Sequence, residues 1–258
     1  MAHLTRITVY PLKSFRGKEQ EQGEILPSGA LQADRQFALV DGQGRWINAK
    51  RTPALHTLPV QVDPVARQVT VDMPLQPQRH FAIDQEVKEL ERWFSDQLAM
   101  PVIWQENATH GFPDDTISPG PTIVSTATLE AVATWFPGLT VDSVRERFRA
   151  NLEVGDVPAF WEDQLWGSDG KTVPFEIGNV VFEGVNPCQR CVVPSRDPQT
   201  GAAWPMFQKQ FAARREATLP PHVARDRFNH FYRLTTNTRL LNLGAGSLKV
   251  GHPVRILA

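Results

Sequence analysis

Both cysteines of the chain, Cys188 and Cys191, lie three positions apart in Asn186-Pro187-Cys188-Gln189-Arg190-Cys191-Val192-Val193-Pro194. A thiolate is a soft nucleophile and a ligand for thiophilic metals, so such a pair can serve metal binding or redox exchange. Structural zinc takes four protein ligands, and the nearest histidines in sequence, His110, His222 and His230, are too distant to complete a local site. An iron–sulfur cluster of the all-cysteine kind is excluded by count. A thioredoxin-type pair opens a helix after a strand, but Pro194 and Asp197-Pro198 follow too closely for one. On residue type alone, inert buried thiols and a functional cysteine stand about even.

Few other residues suggest ligands by spacing. The seven histidines form no His-x-x-x-His pattern. Asp197-Pro198-Gln199-Thr200-Gly201 reads as a turn, with the aspartate accepting from backbone donors and glycine at the exit. Its service would be to fix the loop that presents Cys191. Lys50-Arg51 reads first as a solvated pair and second as the lining of an anionic approach. Trp46, Trp161, Trp166 and Trp204 read as packing residues rather than stacking platforms.

These residues must be positioned by a β-rich chain. Seventeen glycines and 21 prolines cut it into short pieces. Strands are expected at 4–10, 23–32, 37–41, 60–62 and 67–73, with Asp41-Gly42 as a hairpin turn. Val87, Leu90, Phe94 and Leu98 recur at helical spacing and predict a helix over 84–98. After Met100-Pro101 the pattern restarts. A short strand at 122–124 leads to Ser125 and Thr126, which can cap a helix with Leu129, Val132, Ala133 and Phe136 inward, stopped by Pro137-Gly138. Strands follow around 172–185, then a helix over 205–217, and Ser247 to Val254 reads as a closing hairpin or barrel strand. The expected division is residues 1–107 and 108–258.

Composition narrows the function. With 27 Lys and Arg against 28 Asp and Glu, the net charge of -1 gives no general attraction to nucleic acid or anionic membrane. An anion site must therefore be a local cluster. No apolar run approaches the roughly 18 residues of a membrane span. Met1-Ala2-His3-Leu4-Thr5-Arg6 lacks the apolar stretch of a secretory signal, so a cytoplasmic location is expected. Two cysteines cannot staple 258 residues, and stability must come from a packed core.

The cysteine block, Pro187-Cys188-x-Arg190-Cys191 followed by Asp197-Pro198-x-Thr200-Gly201, resembles the signature of the MOSC family of molybdenum-cofactor domains. Tyr10-Pro11-Leu12-Lys13-Ser14, Ala33-Asp34-Arg35-Gln36-Phe37, Phe148-Arg149-Ala150-Asn151 and Leu248-Lys249-Val250-Gly251-His252-Pro253-Val254 resemble further blocks of the family, in order. The resemblance implies an N-terminal β-barrel-like domain followed by a MOSC β-barrel with flanking helices. It implies that Cys191 is the protein ligand to molybdenum and the catalytic position. Lys13, Ser14, Arg35, Ser125, Thr126, Arg149 and Asn151 would hold the phosphate and pterin of the molybdenum cofactor, with Cys188 left to packing. Arginine forks suit a phosphate, and Asn or Ser can orient pterin edges.

The relatives that reduce amidoximes imply an oxidoreductase acting on a small N-hydroxylated substrate by oxygen-atom transfer. Electrons would come from a separate ferredoxin, flavoprotein or cytochrome, because no further cysteines remain for a cluster. Gln189 departs from the small hydroxyl residue of those reductases, which bears on the substrate pocket rather than the cofactor. The rival readings are a cofactor carrier or sulfur-transfer protein using a Cys191 persulfide, and a scaffold whose C-x-x-C takes up zinc.

Overall fold

Leu4, Ile7 and Val9 form the buried face of strand His3–Val9, and this strand, first in the chain, runs inside the largest sheet. The structure is a computed structural model that describes residues 1–241 and 246–257. Among the described residues it has sixteen strands and four α-helices. The eight-stranded sheet runs in the order Val254–Ile256, Val173–Ile177, Val180–Gln189, Arg233–Leu240, Ile123–Ser125, Leu152–Gly155, His3–Val9 and Lys18–Gln20. All neighbours are antiparallel except Ile123–Ser125 and Leu152–Gly155, which are parallel. Its apolar face, including Leu4, Ile7, Val154, Phe175 and Phe182, closes on one core, and strand Gly246–Lys249 adds Leu248 while pairing with Gln22–Ile25.

A second core belongs to the segment between residues 37 and 106. Phe37–Asp41 lies between Trp46–Ile47 and Val102–Glu106, and Val60–Asp63, Gln68–Val71 and Arg79–Ala82 form a meander. Helix α1, Val87–Leu98, seats Leu90, Trp93, Phe94 and Leu98 against both. The third core is aromatic. Helices α2 (Thr126–Ala133), α3 (Val141–Phe148) and α4 (Phe207–Ala217) enclose it, with Phe136 stacked on Phe207 at 4.3 Å between ring centroids. No helix among the described residues is long and apolar enough to cross a membrane.

Several expected elements change in detail. The strand expected over 23–32 stops at Ile25, because the chain turns with Gly29 N donating to Leu26 O and only Leu31 bridges back. Ser247 to Val254 is not one element: Gly246–Lys249 and Val254–Ile256 take different partners, joined by a turn with Gly251 at φ 92°. In the hairpin after Phe37–Asp41 the left-handed residue is Gly44, not Gly42, and Asp41 Oδ1 accepts from Gln43 N and Arg45 N. Helix α1 starts three residues later than predicted, because Ile83 to Gln85 form a turn closed by Glu86 N donating to Ala82 O. Helix α3 was not expected. Val144 and Phe148, with the half-buried Val141, are its few apolar residues, although Thr140 caps it by accepting from Ser143 N at 3.1 Å.

Candidate functional site

A cleft of about 980 Å³ opens where the turns of the first third of the chain meet the ends of the large sheet. That volume is at the top of the range usual for small-molecule sites, about 300–1,000 Å³. Its lining carries eleven Lys and Arg against seven Asp and Glu, in a chain whose net charge is -1. Cations are thus concentrated locally, as an anion site in a chain of near-zero net charge would need.

Tyr10, 5% exposed, lies at the floor. The Arg149 guanidinium stands 4.1 Å from its ring centroid and that of Arg35 5.2 Å from it. Tyr10 Oη donates to Ala150 O at 3.2 Å, and Tyr10 N donates to Asp34 Oδ1 at 2.9 Å. Burial pulls the Arg35 guanidinium down in pKa, but the charge and hydrogen bond of Asp34 outweigh it and hold it above its ordinary value. Arg149 differs. It donates to Phe15 O but forms no ion pair among the described residues, and burial lowers its pKa to about 10, with Tyr10 opposing and the like charge of Arg35 adding to the fall. The carboxylates of Asp34 and Asp114 act on it only from a distance, and an anionic group in direct contact would offset the cost of burying the charge.

Backbone conformation sets these side chains in place. Ser14, Arg35 and Arg149 sit at φ 76°, 49° and 54°, a region uncommon for residues other than glycine and frequent at ligand sites. Arg149 owes its place to the end of α3, where it takes the left-handed position and its N donates to Arg145 O at 2.8 Å. Ser14 Oγ accepts from Ala49 N at 3.1 Å, and Lys13 Nζ donates to Phe112 O at 2.8 Å while pairing with Asp114.

Cys191 is exposed, lines the same cleft, and its Sγ accepts weakly from Val193 N at 3.5 Å. Cys188, half-buried at the end of strand Val180–Gln189, accepts from Arg190 Nη1 at 3.0 Å. The loop beyond is fixed at three points. Buried Arg147 donates to Pro194 O at 3.0 Å and to Arg196 O. Asp197 Oδ1 accepts from Gln199 N, Thr200 N and Thr200 Oγ1, the turn expected from its sequence. Arg196 reaches across to Ala49 O and Lys50 O, tying the cysteine loop to the first half of the chain.

Of the residues predicted to hold a cofactor, Lys13, Ser14, Arg35, Arg149, Asn151 and Cys191 line this cleft. Ser125 and Thr126 do not. Ser125 is wholly buried as the cap of α2, accepting from Thr128 N at 3.1 Å, and Thr126 Oγ1 donates to Glu153 Oε1 at 2.9 Å. Asn151 uses its amide internally: Oδ1 accepts from Thr122 N, Thr122 Oγ1 and Arg35, and Nδ2 donates to Thr8 O. It orients Arg35 and the strand ends. Arg147, Arg196, Tyr10 and Asp34 were not assigned roles from sequence; the last two were readable only as neighbours of Lys13 and Arg35.

The residues fit a phosphate-bearing, metal-carrying cofactor. Arg149 is a cation without a direct ion pair among the described residues, and an exposed thiol shares its cleft. Among the described residues no three His, Cys, Asp or Glu side chains are grouped so that they could hold a metal ion, so a metal at Cys191 would draw its other ligands from a cofactor. Zinc held by the protein alone finds no such set there.

Two family models match the chain: the MOSC N-terminal beta barrel domain over residues 1–101 and the MOSC domain over residues 114–255. No curated protein matches it. Among solved structures, YiiM from Geobacillus stearothermophilus is similar at 12% identity and a TM-score of 0.35. The match covers 54% of each chain, so this chain spans about half of that protein.

Proposed function

The chain belongs to the MOSC domain family, which is associated with the molybdenum cofactor, and from that premise we propose a molybdenum-cofactor-dependent oxidoreductase that reduces N-hydroxylated substrates. The observation that carries this reading is the presence, in one cleft, of Arg149 without a direct ion pair among the described residues and of an exposed Cys191 thiol. When bound, the cofactor supplies two-electron redox chemistry at molybdenum.

The protein's residues have separate tasks. Arg149 and Arg35, with Lys13, bind the phosphate, the arginines through planar forks. Ser14 closes the turn beside them. The Cys191 thiolate is the protein ligand to the metal, and the Arg147, Arg196 and Asp197 contacts keep its loop from drifting. In the net reaction the N–O bond breaks, nitrogen gains two electrons and a proton, and the oxygen leaves as water after taking the second proton. The electrons come from a separate donor protein. The exposure of Cys191 also favours a second reading, transfer of sulfur as a Cys191 persulfide.

The test is molybdenum and pterin content per chain from a cofactor-competent host, beside Cys191→Ser. Near-stoichiometric molybdenum, with metal lost or its spectrum altered in the variant, and reduction of benzamidoxime by the wild type with reduced benzyl viologen, supports the oxidoreductase. Protein without molybdenum or pterin refutes it, and cyanolysable sulfur on Cys191 would then establish the second reading.

A further inference from the structure

The cations of the cleft differ in how their charge is used, and most of them already have a partner. Lys13, Arg35 and Arg145 are each paired with a carboxylate, to Asp114, Asp34 and Glu153 respectively. Arg16, Lys50 and Arg51 are exposed and form no ion pair and no side-chain hydrogen bond among the described residues, yet all three line the same cleft. Arg149, Arg35 and Lys13 already serve the phosphate in the reading above, which leaves these three cations for a further anion.

Their position relative to Cys191 is fixed by the backbone. The tight turn carrying Lys50 and Arg51 is closed by Arg51 N donating to Asn48 O at 3.0 Å and to Asn48 Oδ1 at 3.2 Å. One side of it is clamped by Ala49 N donating to Ser14 Oγ, two residues before Arg16. The other is clamped by Arg196, in the cysteine loop, donating to Ala49 O and to Lys50 O at 3.4 Å. Both cationic turns are therefore held beside the loop that presents Cys191, and about 980 Å³ leaves room for a substrate next to a cofactor.

We propose that Arg16, Lys50 and Arg51 form an anion-recognising rim, so that the preferred substrates are N-hydroxylated compounds that also carry a carboxylate or phosphate. The inference rests on the reductase reading for what happens at the N–O end, but binding at the rim can be measured without turnover. Exposed charges in a cleft mouth raise the local concentration of oppositely charged ligands and are weakened by salt.

The experiment compares 4-carboxybenzamidoxime with benzamidoxime, by calorimetric binding to the holoprotein and by steady-state reduction with reduced benzyl viologen. The wild type should bind the carboxylate about tenfold more tightly at low salt, the order expected of two or three exposed charge contacts, and the preference should shrink as salt rises. Arg16→Gln/Lys50→Gln/Arg51→Gln should erase the preference while leaving binding and turnover of benzamidoxime unchanged. Phosphonate and carboxylate probes of equal size separate the two anion sources. Equal wild-type affinity for charged and neutral compounds overturns the rim. So does equal loss of both in the triple variant, which would instead mark a docking face or a role in folding. Molybdenum content and benzamidoxime turnover report on the reductase reading separately, since that reading fails if they are absent whatever the calorimetry shows.

Discussion

Replacing Arg147 with methionine isolates what holds the loop that carries Cys191. The side chain is 3% exposed, and its guanidinium donates to Pro194 O at 3.0 Å and to Arg196 O, the carbonyls on either side of Ser195. Methionine keeps much of the stem packing beside Trp204 and Phe207 but leaves both acceptors without their donor. Hydrogen bonds from a charged group contribute about 1.5–3 kcal/mol each. The pair to Asp197 adds little, at 3.6 Å with that carboxylate 41% exposed. The loop can rotate one carbonyl to water, so the expected loss is about 2–4 kcal/mol rather than the full sum. Urea unfolding should show it against the 5–15 kcal/mol typical of folded domains. In a Cys188→Ala background, where one thiol reports, Cys191 of the variant should alkylate faster than in the parent. Arg147→Lys, with one donor head, should fall between. Stability within about 0.5 kcal/mol of the parent, together with unchanged alkylation, would refute the claim that Arg147 fixes this loop.

Three further outcomes are expected of the same fold. Burial, reinforced by Asp163, raises the Glu162 carboxyl from 4.5 to about 7; the folded state thus binds the extra proton between those values and loses stability as pH rises through them, by up to about 3 kcal/mol, so Glu162→Gln should flatten that slope in denaturation run from pH 5 to 8. Inorganic phosphate should raise the melting temperature of cofactor-free protein, and Arg149→Met should abolish the rise in a thermal scan. Gly184→Ala would place its Cβ 2.1 Å from Leu165 O, a backbone atom, so urea unfolding should show a loss of about 1–3 kcal/mol or more.

Much of this architecture was readable where the signal is local. The stripe of Leu90, Phe94 and Leu98 gave a helix because each lands on one face, and Ser125 was readable as a cap because its hydroxyl answers a free N–H. That same geometry explains the miss at the site. A capping hydroxyl must point at its own helix, so Ser125 cannot also reach the cleft, and its neighbour Thr126 is drawn to Glu153. Arg147 and Arg149 are two positions apart in one polar run, which no spacing rule separates. One ends up under the cysteine loop and the other over Tyr10, because α3 stops between them and Arg149 takes the left-handed position. Pairings between distant segments were not readable at all, since a strand's own pattern says which face is buried but not which neighbour it meets.

One of those pairings bears on how the molecule is made. Strand His3–Val9 takes Leu152–Gly155 as its neighbour, with Ile7 opposite Leu152. During synthesis at about 5–20 residues per second, the first strand waits roughly 10 to 30 seconds for that neighbour to emerge. In the interval it can pair only with Lys18–Gln20, and an isolated two-stranded hairpin is marginal in water. The segment from 37 to 106 has its own core and can settle early, while Leu4, Ile7 and Val9 stay uncovered on the nascent chain. The buried face of that strand is thus completed only when residues 152–155 have been made, so the large sheet closes late and the 37–106 core early.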